Sequence, residues 1–343
     1  MTSRRPLALL ALPAAAVLTL AGCAGGSGTD AGSSGAEGDG TISVVASTNV
    51  YGDIVSTVGG DAVSVTSIIS DPSQDPHSFE ADARTQLEVS RADLVVMNGG
   101  GYDAFVDTML DASGTEAAVL DAVEVSGLAP EEDHDEEHAE GEEHADEHDH
   151  AEGEEHADEH GHEHEHEHGE FNEHVFYSLP SMAALATSVA DALGEADPDQ
   201  ADTFTANAEA FGEQIADLEA QAAEVEAQHG GESVAYTEPV PGYLFDAMGL
   251  VNVTPEAFSE AIEEGDDVSP AALNDTLKLF TDGQVDLLAY NEQTSSPETE
   301  RVEQAATDAG VAIVPVTELL PEGEDYVSWQ QANIDAITAA LGE

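Results

Sequence analysis

Along most of the chain, short β-branched runs alternate with segments of helical periodicity. In the first half Ile42 to Ala46, Val63 to Ile69 and Leu94 to Met97 have strand length and composition, and 49 to 58, 82 to 91 and 102 to 111 are helical. Ser181 to Leu193 predicts a helix opened by Pro180 at its first turn, where a missing N–H costs nothing. Asp197-Pro198 then starts a long helical pattern that Gly230-Gly231 stops. Its apolar residues Phe204, Phe211, Ile215, Leu218, Ala222 and Val225 fall on one stripe. The second half repeats the alternation, with strands at Ser233 to Thr237, Val285 to Tyr290 and Val311 to Thr317 and helices at 241 to 248, 270 to 282, 298 to 309 and 326 to 341. Alternating strands and helices predict parallel sheets. The expected fold is α/β: a lobe at 41–196, a linking helix at 197–230 and a second lobe at 231–343, each lobe built on a parallel sheet.

Two segments break the alternation. Residues 1–22 combine a basic start (Arg4, Arg5) with an apolar run from Leu7 to Leu20, ending in Leu20-Ala21-Gly22-Cys23. That run is too short for a stable membrane span and has the form of a cleaved export signal. Its LxGC ending resembles a lipoprotein signal, which would leave Cys23 as a lipidated N-terminus and make the membrane a partner. Residues 23–40, rich in Gly and Ser, read as a flexible tether. The body is then expected outside the cytoplasm, lipid-anchored to the outer face of the cell membrane. Cys23 is the single cysteine in the chain, so an internal disulfide and a thiolate metal site are excluded.

The second break is 131–170, which holds 21 acidic residues and 11 of the 14 histidines and contains a duplication, AEGEEHADEHDH followed by AEGEEHADEHGH. Such a composition cannot bury enough apolar surface to offset its ordering entropy, so it predicts a disordered insertion in the first lobe. His162 to His166 formally matches H-E-x-x-H. Without a stable helix or a third ligand, that match is an accident of composition. Imidazole mixed with carboxylate binds borderline divalent ions, so His134, His138, His144, His148, His150, His156, His160, His162, His164, His166 and His168 form an auxiliary metal-gathering tract.

Charge narrows the function. The 343 residues carry 73 Asp and Glu against 6 Lys and Arg, a net charge of -67, which excludes an electrostatic nucleic-acid binder. With the 21 acids of the tract set aside, 52 remain against Arg84, Arg91, Lys278 and Arg301. A field of that sign suits solvation and also steers cations.

In open parallel sheets ligands sit beyond the carboxyl ends of strands. Four residues stand at or near such positions: His77 in DPHSFE, His174 in NEHVF, Glu238 in YTEP and Glu318 in VTEL. Two imidazoles with two carboxylates suit a four-coordinate Zn2+, or Mn2+ if the carboxylates bind through two oxygens each. With four protein ligands no position remains for a reacting water, so the pattern favours binding over catalysis and no enzyme is expected. The third histidine outside the tract, His229, ends the long helix, where it complements the helix dipole.

These segments, together with TEPVPGYLFDAMGL and DYVSWQQANIDAI, resemble the zinc/manganese substrate-binding lipoproteins of ABC transporters, the cluster A-I or ZnuA-like receptors, over the body from Ile42 onward. The resemblance implies two α/β lobes joined by a rigid helix, with metal in the interlobe cleft. It maps the metal ligands to His77, His174, Glu238 and Glu318, with Glu292 competing for the fourth place. Glu238 stands where relatives often have histidine. The resemblance further implies a monomeric receptor for Zn2+, alternatively Mn2+, working with an ABC permease and its ATPase. Rivals of another class are a zinc-dependent hydrolase and an adhesion or metal-storage lipoprotein without a transporter. Imidazole ligation predicts that binding weakens as pH falls through roughly 6 to 7.

Overall fold

A computed structural model of the chain describes residues 41–129 and 171–342. The signal segment 1–22, Cys23, the tether and the His-rich tract lie outside the described residues.

The first sheet is formed by β1 (Ile42–Thr48), β2 (Val63–Ile69), β3 (Leu94–Met97) and β4 (Ala118–Asp121), all parallel, in the order β2-β1-β3-β4. Its helices are α1 (Asn49–Gly59), α2 (Ala83–Val89), α3 (Ala104–Ser113) and α4 (Ala122–Ser126). Two helices follow, α5 (Leu179–Ala196) and α6 (Ala201–His229). The second sheet, β6-β5-β7-β8, is again parallel and comprises β5 (Ser233–Tyr236), β6 (Val251–Asn252), β7 (Leu287–Asn291) and β8 (Ala312–Val316). Around it lie α7 (Gly242–Ala247), α8 (Glu256–Glu263), α9 (Pro270–Thr281), α10 (Pro297–Ala309) and α11 (Tyr326–Leu341).

The central strands are continuous apolar runs because both faces are covered, as parallel sheets require. Val44 and Val96 face a core shared with α1, α5 and α6, while Val45, Val95 and Met97 face α2 and α3. Three elements absent from the sequence expectation are short and peripheral: β4 and β6 are edge strands with exposed side chains, and α4 has five residues. The fourth, α8, is a larger omission.

The long helix starts later than its sequence pattern. Pro198 disfavours a helical Asp197, which instead sits at φ -132°, ψ 86° and accepts hydrogen bonds from Asp199 N and Gln200 Nε2. That turn reverses the chain, so α6 begins at Ala201 and packs along α5. Its 29 residues span about 44 Å at 1.5 Å per residue. Phe204, Ala208, Phe211, Ile215, Leu218, Ala222 and Val225 are all buried, and the one core they join runs from β1 and β3 to β5, β7 and α11.

The helix is not the sole connection between the sheets. Asn49 exchanges two hydrogen bonds with the backbone of Leu320 (2.9 and 3.1 Å). Tyr177 donates to Thr317 O at 2.8 Å, and Tyr326 donates to Phe176 O at 2.8 Å. The return of α11 to α1, where Tyr326 N donates to Asp53 Oδ2 at 2.9 Å, also ties the halves directly, and both fall in one contact unit.

Candidate metal centre

The carboxyl ends of the two sheets supply the loops of one cleft of about 1130 Å³. His77 lies in the loop between β2 and α2. Asp75 shapes that loop by accepting from His77 N and Ser78 Oγ, each at 2.9 Å. His174 lies in the segment leading into α5, Glu238 two residues after β5 and Glu318 two residues after β8.

Three of the four expected ligands converge: His77, His174 and Glu318 each offer a ligand atom, and these atoms lie within 4.8 Å of one another. Glu238 is buried nearby but is not part of that trio. Its carboxylate accepts a very short hydrogen bond from Thr294 Oγ1 and is also held by Asn291. Asn291 Nδ2 donates to Glu318 Oε1 as well, at 2.8 Å, so one amide at the end of β7 positions both acids. Glu292, the competing position, is exposed and lines a separate surface hollow with Glu300 and Glu303. His229 pairs with Glu232 at 3.1 Å at the end of α6.

The protonation of His174 follows from its neighbours. Asn172 Nδ2 donates to Pro239 O at 2.9 Å, which turns Asn172 Oδ1 toward His174 Nδ1 at 2.8 Å. A carboxamide oxygen only accepts, so Nδ1 carries the proton and Nε2 keeps its lone pair for a metal. Burial and then the charge of His77 hold the His174 pKa well below its ordinary value, which keeps the ring neutral. Replacing Asn172 by Ala is expected to weaken metal binding about 10- to 100-fold, the usual cost of losing such an outer partner. A chelator-competition titration checks it, and unchanged affinity would refute the tautomer argument.

Sequence reasoning missed two acids. Glu263, the last residue of α8, approaches His174 Nδ1 to 3.7 Å, and Glu173 lies 4.0 Å from His77 Nδ1. The available signal was Phe258 and Ile262 at helical spacing ahead of an acidic run. Tyr102 was also missed. Its fully buried ring stands edge-on to His77 (4.9 Å) and His174 (5.6 Å).

Electrostatically the centre is a cluster of acids without a cation. Burial first, then Glu238 and Asp75, push Glu318 up to about 8, and burial pushes Glu238 up to about 7. Burial and then Glu173 and Glu238 raise Glu263 to about 10. No Lys or Arg lines the cleft among the described residues. Glu318 Oε2 is buried and makes no close hydrogen bond, with the Tyr102 hydroxyl beside it. Ionising that carboxyl calls for a positive group, and a divalent ion fits both the charge and the donor set.

Two parallel sheets bridged by one long helix, with imidazoles and carboxylates converging beyond their strand ends, define a bilobal, helix-linked α/β protein with a candidate metal centre. The model of the family zinc-uptake complex component A, periplasmic (ZnuA), matches residues 44–340, and the chain belongs to that family. It is 25% identical over 311 residues to the zinc-binding lipoprotein AdcA of Streptococcus pneumoniae, covering 88% of this chain and 56% of that protein, so it spans about half of that relative's length. It is 24% identical over 319 residues to the manganese ABC transporter substrate-binding lipoprotein ScaA of Streptococcus gordonii, covering 88% of this chain and 89% of that one. Among solved structures, the periplasmic zinc-binding protein TroA from Treponema pallidum superposes with a TM-score of 0.65 at 19% identity, over 88% of this chain and 99% of the other. The zinc-bound ZnuA-like domain of AdcA gives 0.63 at 20%, over 89% and 100%. The expected fold is therefore borne out, and relatives of both metals occur.

Proposed function

We propose that this chain is the extracytoplasmic receptor of an ABC importer. It captures Zn2+ in the cleft and presents it to a permease driven by an ATPase. The single observation that supports the reading most is the pair of imidazoles set among buried carboxylates with no Lys or Arg in the cleft lining. His77, His174, Glu238 and Glu318 are the proposed ligands, with Glu238 released from Thr294 to complete the shell. Lipidated Cys23 would hold the receptor, as a monomer, at the outer face of the membrane. The hydrogen bonds between the halves and the continuous core along α6 resist hinge opening, so release is proposed to need docking on the permease. Mn2+ is the second reading. It is favoured by the carboxylate at Glu238 and by the excess of oxygen donors, which suit a harder ion.

The test is metal content and competitive Zn2+/Mn2+ titration of the body lacking 131–170, beside its His77→Ala and Glu238→Ala variants. One tight zinc per chain, lost in both variants, is the expected result. Manganese preference would move the substrate, and the absence of any tight site would sink the receptor reading. The tract is proposed to gather metal for this centre. Its deletion should leave the tight site intact and slow uptake only when metal is scarce, and unchanged stoichiometry together with unchanged scarce-metal uptake would remove that role.

A further inference from the structure

The inner trio leaves a second group unexplained. His77, Glu173 and Glu263 also offer ligand atoms within 4.8 Å of one another, and His77 belongs to both groups. The open cleft is lined by His77, Glu173 and Glu263 but not by His174, Glu238 or Glu318, which are 1%, 3% and 3% exposed. An ion arriving from solvent therefore meets the second group first.

We propose that His77, Glu173 and Glu263 form an outer landing site for a divalent transition-metal ion, which passes inward by keeping His77 and exchanging the two carboxylates for His174 and Glu318. The inference rests on the receptor reading above. Glu263 Oε1 lies 3.7 Å from His174 Nδ1 and beside Glu173, and among the described residues no Lys or Arg of the cleft lining gives the two carboxyls a positive group. His174 cannot supply one, because its Nδ1 proton is engaged by Asn172. Glu173 is held from behind: its carbonyl accepts from Asn98 Nδ2 at 3.0 Å, and Asn98 is fixed in turn by Asp103 Oδ2 at 2.7 Å. The trio draws on both halves, His77 from the loop after β2 and Glu263 from α8. A hydrated ion that trades its waters in two stages avoids meeting the buried trio fully hydrated. One imidazole and two carboxylates suit Zn2+ and Mn2+ alike.

The test is stopped-flow binding of Zn2+ to the full chain and to its Glu263→Gln variant, read by Trp329, the single tryptophan. Its ring lies 6.4 Å from Phe176, which lies 5.6 Å from His174, so its signal reports the cleft. Because both directions cross the outer site, on- and off-rates should fall together, on the order of tenfold, with Kd unchanged. Unchanged rates would overturn the proposal. A faster off-rate with weaker Kd would also overturn it, by making Glu263 a ligand of the inner ion. So would a slower on-rate alone that vanishes at high salt, which is a general field effect. Glu173→Gln provides the same comparison if Glu263→Gln fails to fold by circular dichroism. A parallel His174→Ala run separates the two readings: tight binding that survives there would sink the receptor centre itself, whatever Glu263→Gln does.

Discussion

Replacing His174 by Ala is expected to lower Zn2+ affinity by more than about a hundredfold, beyond what loss of an outer partner costs. Three observations set the size of the effect. The ring is 1% exposed, so no water reaches in easily to take its place. Its Nδ1 is engaged by Asn172, which aims the other nitrogen at the trio. The ring packs edge-on against Tyr102 and Phe176, each with a ring centroid 5.6 Å away, which restricts its rotation. The truncation also leaves a cavity, so urea unfolding of the metal-free variant must be measured beside a chelator-competition titration, and His174→Gln, which fills more of the space, should bind as poorly. His229→Ala is the control. Among the described residues that ring pairs with Glu232 at the helix end, and its loss should leave metal affinity unchanged. Affinity within a few-fold of the parent in the His174 variants would remove the imidazole from the centre.

The reach of the sequence follows burial and spacing. The buried strand Leu94–Met97 is written as an apolar run and the edge strand Val63–Ile69 as a β-branched run mixed with Ser and Thr, and the limits of both in the structure are those of the pattern. The stripe on α6 was legible because a helix that crosses the whole core needs one apolar face throughout. Edge strands β4 and β6 were not, since exposed pairing needs no apolar pattern. The same physics governs the site. His77, His174 and Glu318 were visible because histidine is scarce outside the tract and because strand ends are where ligands sit. Glu263 was invisible as one acid in a run of acids, and only the placement of α8 turns it toward His174. Glu238 was legible as a position but not as a contact: Thr294, distant in sequence, takes its carboxylate.

The pH dependence of the metal-free protein should run opposite to that of the zinc-loaded one. Glu238 and Glu318 are pushed up to about 7 and about 8 from an ordinary 4.5, with burial as the first cause in both. Between the ordinary value and about 8 the folded chain therefore holds protons that the unfolded chain has released. Stability changes with pH as the proton count of the unfolded state minus that of the folded state, which is negative here. The metal-free protein should thus lose stability as pH rises from about 5 to about 8, by roughly 2 to 5 kcal/mol, which is on the order of 10 °C in melting temperature. A bound ion favours the ionised carboxylates and displaces those protons. Zinc affinity should then rise with pH across the same window, by up to about tenfold per unit for each proton released. This moves the window upward from the imidazole range of 6 to 7, because burial has already lowered His174 out of it and the competing protons sit on acids. Self-repulsion from a net charge of -67 would also weaken the metal-free fold at high pH. Salt separates the two causes, since it screens surface repulsion and leaves buried carboxyls nearly untouched. Melting curves of chelator-stripped and zinc-loaded protein at low and high salt decide the matter. A metal-free melting temperature that rises with pH would show that Glu238 and Glu318 ionise normally, and with that the charge vacancy argued for the centre would be gone.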